Sequence, residues 1–171
     1  NRWAKRFDVA TAFDADGNLY VAYGVNEGAG SNTSVVVARS QDGGQTFNQV
    51  SVVDVQRNIG EGQYSEPGAE GFRLATGIDP LSGREAVYIS YTQNVTESYY
   101  GYDRGYDDNG YQKNQNRYSP VDERIVVAGS NNAGAGWTDP TIVNDGSIRG
   151  TDKGNGFADV AVGPEGELYV S

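Results

Sequence analysis

Three stretches of this chain are built alike, and that repetition limits the fold more than any other feature. Phe7 to Gly24 alternates Val9, Thr11 and Phe13, turns through Asp14-Ala15-Asp16-Gly17-Asn18, and resumes with Leu19-Tyr20-Val21-Ala22-Tyr23. Phe72 to Thr92 follows the same plan, with Leu74, Thr76 and Ile78, the turn Asp79-Pro80-Leu81-Ser82-Gly83, and then Ala86 to Tyr91. Phe157 to Ser171 repeats it with Val160, Val162, the turn Pro164-Glu165-Gly166, and Leu168-Tyr169-Val170. Period-two alternation on either side of a glycine turn predicts a pair of antiparallel strands in each stretch. A repeated unit of this kind buries its apolar face by packing on its neighbours.

A second hairpin follows each of the first two. Ser34 to Arg39 leads into Ser40-Gln41-Asp42-Gly43-Gly44-Gln45-Thr46-Phe47, and Arg124 to Gly129 leads into Ser130-Asn131-Asn132-Ala133-Gly134-Ala135-Gly136-Trp137. In the second turn Asn132 stands for Asp42 and Gly136 for Thr46, while serine, central glycine and closing aromatic keep their spacing. Tyr20 and Tyr88 lie 68 residues apart but Asp42 and Asn132 lie 90 apart, so copy two carries an insertion of 22 residues within Gln93 to Asp122. Four strands per unit, repeated, is the pattern of a propeller blade.

The pattern Ser-x-Asp-x-Gly-x-Thr-aromatic resembles the Asp-box of the bacterial neuraminidase repeat, found on blades of sialidase-like β-propellers. The resemblance implies an all-β fold, a partial propeller of four-stranded antiparallel blades. Blade one covers about 7–53, blade two about 72–144 with the insertion at 93–122, and a third begins at 157–171. It gives Ser40, Asp42, Gly44, Thr46 and Phe47, with Ser130, Asn132, Gly134 and Trp137, structural roles. The polar groups tie down the turn and the aromatic packs between blades, away from the substrate face. Propellers close with about four to eight blades, so residues 1–171 are expected to belong to a longer protein or a complex. The architectural alternative is a complete β-sandwich with its strands in two sheets.

Composition narrows the function. The formal net charge is -10, and binding to a phosphate backbone needs clustered Lys and Arg instead. No apolar run approaches the length of a membrane span. Histidine and cysteine are absent, which removes the usual general base near neutral pH, the commonest transition-metal ligand and any disulfide. Catalysis would fall to carboxylates, Tyr, Ser or Lys. Methionine is also absent and the chain begins at Asn1, which predicts a processed or partial chain; the acidity fits an exported protein, secreted, cell-surface or periplasmic.

Sialidase resemblance would further imply an arginine triad for the substrate carboxylate, a Tyr–Glu nucleophile pair and an aspartate acid/base. The nearest match to the family's Phe/Tyr-Arg-Ile-Pro motif is Phe72-Arg73-Leu74-Ala75, without the proline and placed after an Asp-box. Arg73 is the one catalytic candidate, and no Tyr–Glu pair or further arginines can be assigned. The insertion stands out more. Tyr99, Tyr100, Tyr102, Tyr106, Tyr111 and Tyr118 are six of the twelve tyrosines, interleaved with glycines and with Asp103, Asp107, Asp108 and Asn109. Rigid amphipathic aromatics on a long loop suit contact with a glycan or a protein.

Two oxygen-rich groups have calcium-like chemistry: Asp103, Asp107, Asp108 and Asn109 in the insertion, and Asp14, Asp16 and Asn18, which read better as a hairpin turn. Asn32-Thr33-Ser34 and Asn94-Val95-Thr96 fit the N-glycosylation sequon. The sequence favours a non-enzymatic scaffold or recognition domain for a protein partner or glycan. A sialidase-type glycoside hydrolase with most catalytic residues elsewhere, and a structural subunit of a surface or filament assembly, stand as alternatives.

Overall fold

The computed structural model describes residues 5–26, 32–57, 68–96, 121–144 and 158–171. Ten strands make up the secondary structure of these residues, and there is no helix among them. β1 (Lys5–Phe13), β2 (Leu19–Asn26), β3 (Thr33–Ser40) and β4 (Gln49–Gln56) form one antiparallel sheet in sequence order. β5 (Ala69–Ile78), β6 (Glu85–Thr96), β7 (Val121–Ser130) and β8 (Thr141–Ile142) form a second sheet in the same order. β9 (Val160–Val162) and β10 (Leu168–Val170) make a third, two-stranded sheet.

The chain turns where its sequence predicts. Asp14 accepts the Asn18 backbone N–H at 2.8 Å, the Asn18 amide at 2.7 Å and the Tyr20 hydroxyl at 3.1 Å, so its oxygens hold the β1–β2 turn. Gly17 closes that turn at φ 81°, a conformation that costs a residue with a Cβ. Asp79 plays the same part after β5, accepting from Ser82 N–H at 3.1 Å.

Strand boundaries depart from the sequence reading at the insertion. β6 runs on to Thr96 and β7 begins at Val121, so Gln93–Thr96 and Val121–Asp122 are paired strand. Antiparallel pairing extends a hairpin wherever the two arms stay in register, whatever the local composition. β8 is two residues long where β4 has eight, and Pro140 just before it has no N–H for the ladder, which stops pairing at its start.

The main core lies between the first two sheets. Tyr20, Ala22, Val35 and Val37 on one side meet Phe72, Val87, Ile89 and Tyr91 on the other. Phe72 sits centrally, its ring 6.3 Å from Phe7 and 6.0 Å from Tyr91, both tilted. Val162 packs so closely on β5 that a Cβ at Gly77 would lie 2.5 Å from it. Ser90 donates to the Ala158 carbonyl at 3.3 Å, a further tie between the second and third sheets.

Candidate functional site

Antiparallel order gives the sheets two unlike ends. One end holds the short turns at 14–18, 41–48, 79–84, 131–140 and 163–167. At the other end lie the last residues of β2, β4, β6 and β8 and the first residues of β3, β5, β7 and β9. Polar links between the first two sheets keep the ends aligned. Gly71 N–H to Asp8 (3.0 Å) and Gly68 N–H to Thr33 (3.2 Å) lie at the far end. Ala15 N–H to Glu85 (2.8 Å) lies at the turn end.

At the turn end, Ser40 to Phe47 is held by a closed set of bonds. The Ser40 hydroxyl donates to Asp42 Oδ1 at 2.7 Å and accepts Gly44 N–H at 2.8 Å. Asp42 also accepts Thr46 N–H at 2.8 Å and the Thr46 hydroxyl at 2.6 Å. These donors, the Thr46 hydroxyl foremost, hold the Asp42 carboxyl down at about 2. A carboxylate with its lone pairs committed to its own turn is a structural anion.

The second turn keeps the frame without the charge. Asn132 Oδ1 accepts the Ser130 hydroxyl at 2.7 Å and Gly136 N–H at 2.9 Å, and Ser130 accepts Gly134 N–H at 2.9 Å. The two sequence departures go together. A Cβ at Gly136 would lie 3.2 Å from the Asn132 amide nitrogen, so losing the threonine leaves room for an NH₂ where Asp42 has an oxygen. Ala133 takes the left-handed conformation at φ 60°, where the first turn has Gly43 at 71°.

This second turn is docked on the first sheet. Trp137 donates its indole N–H to the Ser51 hydroxyl at 3.0 Å. Ser51 donates to the Gly134 carbonyl at 2.7 Å, and Gln49 donates to the Ala133 carbonyl at 2.6 Å. Sequence reading missed Gln49 and Ser51, since only the fold brings β4 to a turn more than eighty residues away.

The opposite end gathers the polar groups with chemical potential. Asp54 accepts the Tyr91 hydroxyl at 2.6 Å and the Gln56 amide at 2.5 Å. Here is a tyrosine–carboxylate pair, which sequence reading did not assign. Tyr91 is 0% exposed, and burial, with Asp54 adding to it, pushes its phenol far up. A sealed phenol cannot attack a substrate, so the pair ties two sheets together.

Nearby, Asn94 donates to Glu70 at 2.9 Å and its register partner is Glu123. Burial raises the Glu123 carboxyl, and the charge of Glu70 raises it further. Asn94 is 6% exposed, so a folded chain has no room for a glycan at the second sequon. Arg73 is exposed on β5 and turns back to donate to its neighbour's carbonyl, Phe72 O, at 2.8 Å.

No group of three or more acidic residues placed to hold a metal occurs among the described residues. Tyr99, Tyr100, Tyr102, Tyr106, Tyr111 and Tyr118, with Asp103, Asp107, Asp108 and Asn109, lie outside the described residues. The strands that flank them, β6 and β7, are described up to Thr96 and from Val121, at the end with the polar groups. A scan of protein-family models finds no match to this chain, and a search of curated proteins finds none either.

Proposed function

We propose that the chain is part of a sialidase-like β-propeller acting as a non-enzymatic, exported recognition module. In this reading the first two sheets are successive blades and the third is the start of another. The tyrosine-rich segment 97–120 contacts a protein partner or a glycan. One observation carries the reading: the strands flanking that segment end on the side away from the tight turns, where Asp54, Glu70 and Glu123 also lie. Tight turns build the scaffold and long connections carry contacts.

Among the described residues the tyrosine–carboxylate pair is sealed, and Arg73 bonds its own chain. Replacing Tyr99–Tyr118 with a short glycine-serine linker tests the proposal, with capture from a glycan array and from a cell-surface extract as readouts. Unchanged thermal unfolding with loss of the bound glycan or protein is expected. Undiminished binding would remove the loop from the function.

A further inference from the structure

Away from the tight turns, four polar side chains share one side of the second sheet. Glu70 on β5 lies directly opposite Thr92 on β6, and Asn94, two residues further along β6, lies opposite Glu123 on β7. Residues paired across a ladder, and residues two apart on one strand, point to the same face. The Asn94 amide donates to Glu70 at 2.9 Å, and the charge of Glu70 acts on the Glu123 carboxyl, so the two acids converge over β6. Both are half-buried. Tyr91 points to the opposite face, whereas Ser90, on the same side as Thr92, meets Ala158 of the chain leading into β9.

Thr92 is the unusual member of this group. It is 3% exposed, and its hydroxyl oxygen is buried without a hydrogen-bond partner among the described residues. Buried hydroxyls are normally satisfied, so one that is not calls for a partner of another kind. Glu70, directly opposite, also has no cationic partner among the described residues. Arg73, the only basic residue of β5, turns back to Phe72 O, and Arg124 on β7 lies opposite Gln93, on the other side of the sheet.

We propose that Glu70, Glu123 and Thr92 hold a calcium ion over β6. Two carboxylates and a hydroxyl are hard oxygen donors, and calcium takes about 6–8 oxygens, completing its shell with water. Asn94 is a positioning residue, fixing Glu70 through its amide. The ion offsets the repulsion between the two acids, gives the Thr92 oxygen a partner, and ties β5 to β7 across β6. That places it at the roots of segment 97–120, since β6 ends at Thr96 and β7 begins at Val121. The site is separate from Asp103, Asp107, Asp108 and Asn109, and it does not depend on what that segment contacts.

Calorimetric titration of the chelator-treated 171-residue chain with calcium chloride tests the site. Binding is expected, and it should persist when Asp103, Asp107 and Asp108 are changed together to Asn. Glu70→Gln and Glu123→Gln should each weaken it at least about tenfold, since even an outer-shell partner of a metal is worth about 10–100-fold. Thr92→Val, which keeps the shape and removes the oxygen, should weaken it severalfold. Thermal unfolding separates binding from folding. In chelator Glu123→Gln should unfold no lower than the parent, because one repelling charge is gone, and only the parent should rise when calcium is added. Absence of calcium binding overturns the proposal, as does binding that Glu123→Gln and Thr92→Val leave untouched. Binding lost with the three aspartates would give the ion to the insertion and overturn it equally.

Discussion

The first two sheets share one plan but face different neighbours, and the contrast shows what sets burial in a repeated structure. Val9 and Phe72 each follow a bulge residue with positive φ, Asp8 at 51° and Gly71 at 68°. Phe72 is 1% exposed because the first sheet covers it, whereas Val9 is 68% exposed. Ile89 and Tyr91 are buried where their counterparts Val21 and Tyr23 are half-buried. Sequence position within the unit decides which way a side chain points. Position within the stack decides whether anything meets it.

Cutting back this pair should give the largest difference. Phe72→Ala leaves a cavity among Phe7, Tyr91 and the strands beneath, and should lose about 3–5 kcal/mol of stability in urea unfolding. Val9→Ala should stay within about 0.5 kcal/mol of the parent. Similar losses at both positions would mean that the outer face of the first sheet is also covered.

The closing aromatics of the two turns sharpen the same point. Trp137 is half-buried against the first sheet and bonds Ser51, while Phe47 is 40% exposed. Trp137→Ala should lose roughly 2–3 kcal/mol, the lower part of the range for large aromatics since the ring is only partly enclosed. Phe47→Ala should lose less than about 1 kcal/mol, by the same unfolding measurement. Tyr91→Phe comes next, at roughly 1.5–3 kcal/mol, because it strips a hydroxyl from a charged acceptor inside the interface. Equal stability of Tyr91→Phe and parent would show that Asp54 finds another donor.

Much of this architecture was legible in the residues. Alternation around Asp14–Asn18 and Asp79–Gly83 located the hairpins, and the spacing of Ser40, Asp42, Gly44 and Thr46 foretold bonds that the turn makes. What could not be read was anything depending on how sheets meet. Asp54 sits on β4 and Tyr91 on β6, 37 residues away, and no local pattern links them. Ser51 looks like any strand serine until a turn is placed over it. Arg73 was a candidate by motif, and its bond to Phe72 O is set by its rotamer, which sequence does not specify.

The smallest expected effect separates the two turns by charge. Asp42 is ionised down to about pH 2 because Thr46 and Ser40 donate to it. An unfolded aspartate titrates near 4. The folded value is the lower of the two, so the stabilisation is complete above about pH 4 and is lost as the pH falls from there through about 2. Asn132 has no proton to gain over this range, and its turn should be insensitive. Asp42→Asn copies the second turn into the first but leaves Thr46 in place, so the amide meets a hydroxyl where Asn132 meets a glycine. The gap in urea midpoint between parent and Asp42→Asn should hold steady from pH 7 to 5 and narrow toward pH 2.5. Adding Thr46→Gly should recover part of the loss at neutral pH, since the second turn carries both changes together. A gap that ignores pH would mean the ionised form of Asp42 contributes nothing, and that the two turns differ only in shape.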